Sequence, residues 1–398
     1  MPRILFINSV CGKGSTGRIC TDLYDLAVND GYECCIAYGR GNHPKGYNTF
    51  KIGNKIDIYG HVLMTRLFDK HGFGSKFTTK KLLKFIDSYK PDIIHLHNIH
   101  GYYLNIKCLC DYLRNNSRIK VIWTLHDCWA FTGHCAYFTF SKCNKWKNDC
   151  RNCQYRSSYP SNLLYSNSKK NFDKKKHLFT SLPNLVLVTP SKWLKSIVDD
   201  SFLHKYECRV IHNGIDSSIF KNKGKNTENK VTTILGLANI WDERKGFKTF
   251  LELAETIKDE DYKIILVGLS KKQIKELPTN ILGIERTNNV DELVELYNEA
   301  DVFFNPTLED NYPTVNLEAQ ACGLPVITFD SGGARETIYG SHCFVVESLE
   351  EFIEIIRSND FRKYKCDIKK ENYDKYLLFN EYINLYKEVK DESSCNRI

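Results

Sequence analysis

No apolar run in the 398-residue sequence approaches the length of a membrane-spanning helix. The apolar start, Ile4 to Val10, is too short for a secretory signal and leads into glycines, so a cytoplasmic location is expected. There is no repeat of solenoid length and no long segment of disorder-prone composition. A net charge of +8 favours an anionic partner, but the lysines form no recognition motif, so no nucleic acid is expected. Nucleotide-linked substrates and an anionic membrane surface are the better matches. A Gly-Lys-Ser/Thr triplet at P-loop spacing is missing. Asp199-Asp200 and Asp259-Glu260-Asp261 lie in polar surface sequence, so no Asp-x-Asp motif is set to hold a metal-bound diphosphate.

What is present is a chain too long for one doubly wound domain, with hydrophobic residues at 42% and charged ones at 26%. Short aliphatic runs alternate with helix-like segments: Ile4 to Asn8, Glu33 to Tyr38, Asp92 to Leu96, Val121 to Leu125, Leu185 to Thr189 and Arg209 to His212. A second series follows at Thr233 to Leu237, Lys263 to Val267, Ile281 to Ile284, Val302 to Asn305 and Val326 to Phe329. Such alternation predicts parallel strands with crossover helices, hence two Rossmann-like α/β domains. The expected boundaries are 1–215 for the first, 216–230 for a polar linker, 231–375 for the second, and 376–398 for a C-terminal helix that packs back on the first domain. Residues 126–183 have no clear period and read as a structured insertion rich in cysteine and aromatics.

After the first strand, Gly12-Lys13-Gly14-Ser15-Thr16-Gly17 fits a GxGxxG loop opening a helix, where backbone N–H groups can approach an anion. A dinucleotide site would also want an acidic residue ending the second strand. Tyr38-Gly39-Arg40 stands there instead, which disfavours NAD and leaves NADP open through Arg40.

The second domain is more specific. Strand Val302 to Asn305 leads into Glu309-Asp310-Asn311-Tyr312-Pro313, then Glu318, then Ala321-Cys322-Gly323-Leu324-Pro325-Val326-Ile327. Pro313 suits a first helical turn, whose unpaired N–H groups would face an anion at the strand's end. This segment resembles the retaining GT-B glycosyltransferases, the family of glycogen and sucrose synthases and many bacterial polysaccharide transferases, in its exopolysaccharide and capsule branch. Ile211-His212-Asn213-Gly214-Ile215-Asp216, Lys245-Gly246 and Ser331-Gly332-Gly333 match further motifs of that family in order.

The resemblance implies two Rossmann-like doubly wound domains facing across a cleft that holds a nucleotide sugar, UDP-linked by default. It implies that Glu318 binds ribose hydroxyls, that Asp310 and the amides of Asn311 and Tyr312 hold the sugar, and that Lys245 neutralises the diphosphate. The family's companion arginine falls at Ile240, so Arg244 is its substitute. His126, in Thr124-Leu125-His126-Asp127, would lie beside the anomeric carbon. Catalysis would thus rest on His126, Lys245 and Asp310, with Gly14 also on the donor and Gly12, Gly14, Ser15, Thr16 and Gly17 on the acceptor-side loop. His95, His97 and His100 are candidates for the acceptor site. Transfer would proceed with retention, with fixed cations and dipoles rather than a divalent metal stabilising the departing diphosphate.

Cys135, Cys143, Cys150 and Cys153 have a spacing suited to one structural zinc, which would organise the insertion. The acceptor is expected to be a glycan or lipid-linked glycan. Ile56 to Tyr89 mixes Ile58, Val62, Leu63, Met64, Leu67 and Phe68 with Arg66, Lys70 and Lys76, then Lys80, Lys81 and Lys84 with Leu82, Leu83, Phe85 and Ile86. Such a mixture suits peripheral contact at the inner face of the cell membrane. A nucleotide-sugar epimerase of the same fold and a noncatalytic nucleotide-sugar-binding module are the alternative functions.

Overall fold

The computed structural model describes residues 1–157, 159–224, 231–258 and 261–395. The expected linker 216–230 therefore lies partly outside the described residues, as do Asp259 and Glu260. The chain forms two compact units, one of residues 1–212 with 379–398 and the other of 213–378.

The first unit holds strands β1 (Arg3–Val10), β2 (Glu33–Arg40), β3 (Thr49–Lys51), β4 (Ile93–Leu96), β5 (Lys120–Thr124), β6 (Leu185–Thr189) and β7 (Cys208–Val210). All pairings are parallel, in the order β3-β2-β1-β4-β5-β6-β7. Helices α1 (Gly14–Asn29), α2 (Lys55–Phe68), α3 (Lys76–Tyr89), α4 (Ile106–Asn115), α5 (Ser168–Phe179) and α6 (Lys192–Asp199) connect them. In the second unit β8 (Thr232–Leu237), β9 (Tyr262–Val267), β10 (Ile281–Ile284), β11 (Val302–Asn305), β12 (Val326–Phe329) and β13 (Phe344–Val346) pair in the order β10-β9-β8-β11-β12-β13. Its helices are α7 (Phe247–Thr256), α8 (Lys271–Lys275), α9 (Val290–Glu299), α10 (Thr314–Ala321) and α11 (Leu349–Ser358). Both are Rossmann-like sheets whose central strands are buried on both faces, which is why those strands read as continuous aliphatic runs.

Strands β3 and β13, Thr-Phe-Lys and Phe-Val-Val, are absent from the expected series because they are too short to show a period. Each is three residues long at a sheet edge and mostly half-buried. The insertion, although its sequence shows no clear period, is built on a helix and an apolar cluster. It contains α5, and its Trp129, Phe131, Phe138 and Trp146 belong to the same apolar cluster as the sheet, so it does not lack a core. Helix α5 escaped notice because its inward face carries Asn171 and Lys175 beside Phe172, Leu178 and Phe179.

The last helix, α12 (Lys375–Cys395), begins in the second unit and belongs to the first from Phe379 onward. There Tyr386 Oη meets His95 Nδ1 at 2.8 Å, and Tyr382 Oη meets Thr124 Oγ1 at 3.1 Å. The other ring nitrogen of His95 meets Thr124 Oγ1 at 2.8 Å. His95 is therefore a fully buried structural residue that seats α12, not an acceptor-site residue.

Lys175 is buried to 1% exposure, where its ammonium donates to the carbonyls of Trp129 (2.8 Å) and Thr132 (3.1 Å) and lies 3.4 Å from the Trp129 ring centroid. Burial pushes its pKa down from 10.5 to about 7. Between those values the unfolded chain holds a proton that the folded chain has shed, so this group adds stability as pH rises. The unfolding free energy of wild type, measured against Lys175→Met by denaturant titration, should therefore grow between pH 7 and 9 by up to about 1.4 kcal/mol per pH unit. A pH-independent difference would mean that Lys175 stays charged in the fold.

Candidate functional site

In the second unit the loop after β11 carries the expected carboxylates. Gly246, with φ of 78°, caps α7, and a Cβ there would stand 2.3 Å from the Pro306 carbonyl oxygen, so only glycine allows this approach. The approach places neighbouring Lys245 in an ion pair with Asp310. Arg244 donates to the Glu309 carbonyl at 2.7 Å, and its own carbonyl accepts from Leu308 N at 2.7 Å. Burial alone would raise the Asp310 carboxyl, but the charges of Lys245 and Arg244 hold it below its usual range. Its Oδ1 accepts from Asn311 N at 2.8 Å, and Gly333 N donates to its carbonyl at 2.8 Å.

Pro313 precedes α10 by one residue instead of standing inside its first turn, and no side chain caps that helix. Glu318 is buried, with Oε2 accepting from Tyr297 Oη at 3.0 Å and Oε1 facing Thr314 Oγ1 at 3.5 Å. The Tyr312 side chain turns into the core and meets Tyr339 Oη at 2.9 Å, which leaves its backbone for the loop. Tyr297 gave no signal in the sequence; a tyrosine on an amphipathic helix reads as ordinary core. Ile240, at the companion-arginine position, is exposed.

In the first unit Asn8 organises the glycine loop: Nδ2 donates to the carbonyls of Val10 (2.9 Å) and Thr16 (3.1 Å), and Oδ1 accepts from Ser9 N at 2.8 Å. Gly12 lies under Pro44, whereas Gly14, Ser15 and Thr16 open α1, which has no side-chain cap. At the end of β5, His126 is half-buried and its Nε2 meets His97 Nδ1 at 3.0 Å. Burial lowers its pKa to about 4, so its imidazole is neutral at pH 7. Asp127 Oδ2 meets His100 Nε2 at 2.8 Å, and His100 Nδ1 meets Tyr159 Oη at 3.2 Å. His97, Asn98, His100, Trp123, His126 and Asp127 line one small cavity. Tyr159 was not a candidate from sequence, because it comes from the insertion and lies 59 residues beyond His100.

The four insertion cysteines are neighbours. Cys135 and Cys153 share a hydrogen bond that draws the Cys153 thiol down to about 6, and Cys143 and Cys150 both act on Cys135 electrostatically. Among the described residues, however, no three His, Cys, Asp or Glu side chains converge as a metal donor set. Beside them a buried His134–Asp69 pair at 2.7 Å ties the insertion to the end of α2.

The expected membrane-facing segment is divided. On α3, Leu82 and Ile86 are buried and Leu83 and Phe85 pack on the same core, leaving Lys80, Lys81 and Lys84 in solvent. On α2, Ile56, Tyr59, Leu63 and Phe68 are exposed, whereas Ile58, Val62, Met64 and Leu67 are half-buried. Leu163 N donates to Arg66 O at 2.7 Å and Tyr165 stacks on Phe68 at 6.4 Å, which adds the exposed Leu163, Leu164 and Tyr165 to the same face. No helix among the described residues is long and apolar enough to cross a membrane.

Residues 16–219 match the sequence profile described as Glycosyltransferase Family 4, and residues 231–358 that described as Glycosyl transferases group 1. The chain is 25% identical, over 97% of its own length and all of the relative's, to the putative colanic acid biosynthesis glycosyl transferase WcaC of Escherichia coli. It is 24% identical, over 42% of its length and 47% of the relative's, to the N,N'-diacetylbacillosaminyl-diphospho-undecaprenol alpha-1,3-N-acetylgalactosaminyltransferase of Campylobacter jejuni. Among solved structures, the Anabaena protein HepE, in complex with UDP and glucose, aligns with a TM-score of 0.62 at 15% identity, over 97% of this chain and all of that one.

Proposed function

Because this chain belongs to the GT-B glycosyltransferases, family 4 in its first half and group 1 in its second, we propose that it moves a hexose from a nucleoside-diphosphate sugar, UDP-linked by default, to a glycan or lipid-linked glycan, with retention. The observation that carries this reading is the Lys245–Asp310 pair beside Arg244 on the loop after β11. A bound diphosphate would draw Lys245 from Asp310, leaving the ammonium on the leaving group and the carboxylate for the sugar's hydroxyls. Charge building on the departing oxygen is then met by Lys245, Arg244 and the uncapped N–H groups of α10, which makes a divalent metal unnecessary. The leaving phosphate takes the acceptor's proton on the face where the bond breaks. Neutral His126 is suited to a hydrogen bond with a donor-sugar hydroxyl. Surface-polysaccharide synthesis is supported by the name of the Escherichia coli relative, a lipid-linked acceptor by that of the Campylobacter jejuni relative, and UDP by the ligand of the Anabaena structure.

An epimerase or a noncatalytic binding module would bind the same donor without passing its sugar on. Glu318→Ala should weaken nucleotide binding by roughly 1 to 3 kcal/mol in calorimetry, since two ribose hydroxyls lose one buried acceptor. Lys245→Ala should lower kcat of sugar transfer more than donor affinity. Equal losses would make Lys245 a donor anchor alone, and donor binding with no transfer to any acceptor would favour the binding module.

Contact with the inner face of the membrane is supported by the apolar face of α2 and residues 163–165, fringed by Lys55, Arg66 and Lys70. The protein should sediment with anionic vesicles at low salt and leave them at high salt, and Leu63→Ser with Tyr165→Ser should abolish sedimentation without lowering the melting temperature. Wild type remaining in the supernatant at every salt concentration removes this contact.

For the insertion we propose one structural zinc on Cys135, Cys143, Cys150 and Cys153, an all-thiol set whose Cys153 is already disposed to ionise. Its binding would draw the thiolates together. Elemental analysis of untagged protein should find about one zinc per chain, lost in the variant with Cys150→Ser and Cys153→Ser; metal-free, folded, active protein would leave these residues as packing.

A further inference from the structure

The carboxyl edge of β2 holds a charge for which the described residues supply no counter-charge. Arg40 ends β2 opposite Val10 of β1, beside the loop that opens α1. Its Nε is buried with no hydrogen-bond partner, and no carboxylate pairs with it among the described residues. The guanidinium rests on Gly101, where an added Cβ would lie 3.3 Å from Nη2. On the other side, Gly101 N donates to His71 Nε2 at 3.2 Å. That bond places the His71 proton on Nδ1, which is also buried and without a partner. Because the two ring nitrogens of an imidazole point in nearly opposite directions, that N–H faces away from Gly101, and His71 serves to hold the glycine beneath Arg40. Buried guanidinium donors are rarely left unsatisfied in folded proteins, so Arg40 Nε signals an acceptor supplied from outside.

The surroundings say what kind. The charge of Arg40 is felt at Tyr102, Tyr103 and Tyr159, and the rings of Tyr102 and Tyr159 pack edge-on to His71, at 4.8 and 5.6 Å between centroids. Tyr159 keeps 42% of its surface exposed. The nearby carboxylate, Asp127, is engaged by His100 and by Trp129 N. A cation and aromatic faces, with the local acid already occupied, suit a sugar that carries an oxyanion.

We propose that Arg40, backed by His71, is the anion-binding element of the acceptor subsite and selects an acceptor sugar bearing a phosphate or a carboxylate. This rests on the glycosyltransferase reading, in which the donor diphosphate is held by Lys245 in the other unit. A neutral acceptor would leave the Arg40 charge unsatisfied, so Arg40 sets acceptor choice, not donor affinity.

The full chain is titrated calorimetrically with glucose 1-phosphate, methyl glucuronide and neutral methyl glucoside, at saturating concentration of the nucleoside diphosphate that raises its melting temperature most. One of the two anionic sugars should bind about tenfold more tightly than methyl glucoside or better, and which one does so identifies phosphate or carboxylate as the group selected. Arg40→Gln should abolish the preference, and Arg40→Lys should keep part of it, with nucleotide affinity and melting temperature unchanged in both. Equal binding of all three sugars by wild type overturns the proposal, as does a preference that survives in Arg40→Gln. Weaker nucleotide binding by Arg40→Gln also overturns it, since the anion held would then be the donor's. If no nucleotide binds to any form while the Arg40-dependent preference persists, the glycosyltransferase reading fails and the anion site stands.

Discussion

Strands buried on both faces have no room along their length for charge, and in a parallel sheet the space beyond their carboxyl ends is where backbone and side chains can turn polar without entering the core. Each unit of this protein obeys that constraint. In the second, Asp310 and the uncapped start of α10 follow β11, and Arg244 and Lys245 reach the same loop because glycine at 246 lets the chain lie against Pro306. In the first, the glycine loop follows β1, Arg40 ends β2, His97 and His100 follow β4, and His126 and Asp127 follow β5. The chemistry of each unit is collected by the topology of its sheet before any side chain makes a specific contact.

Burial then sets protonation. His95, His97 and His126 are all held neutral by desolvation, so the β4 and β5 ends form a chain of uncharged imidazoles instead of a cationic patch. Asp127 keeps its charge in the same region through His100 and the Trp129 amide, against the cost of burial. Lys175 shows the opposite economy, as two carbonyls and an indole face hold an ammonium whose proton is easily lost. The Lys175 contacts hold the insertion together internally, while the Asp127–His100 and His134–Asp69 pairs tie it to the loop after β4 and the end of α2, beside the aromatic residues that join the sheet's apolar cluster.

Membership in the group 1 glycosyltransferases could be read from local motifs, because the Asp310 to Glu318 interval, the Lys245-Gly246 pair and the strand alternation are properties of adjacent residues. The ten longer aliphatic strands are legible within one or two residues, and Leu185–Thr189, Ile281–Ile284, Val302–Asn305 and Val326–Phe329 to the residue. Less legible are elements too short to show a period, such as the edge strands β3 and β13, and α5 with its buried lysine. The histidines near 95 to 100 were visible as a cluster, but three residues of one sheet edge took different fates. His95 became a seat for α12, His97 a partner of His126, and His100 a partner of Asp127 and Tyr159.

The sequence by itself determined the fold class, the glycosyltransferase family and the placement of Asp310 on the loop after β11 and of Glu318 on α10, since each depends on spacing along a strand, loop or helix. Tertiary structure alone decided that Lys245 pairs with Asp310 across 65 residues, that Tyr297 meets Glu318, that α2 and not α3 keeps an apolar face in solvent, and that Arg40 and His71 are donors without acceptors. The reason is the same in each case. Whether a charge is satisfied, or an apolar face covered, depends on what the rest of the chain brings to within a few ångströms, and neither composition nor period records that.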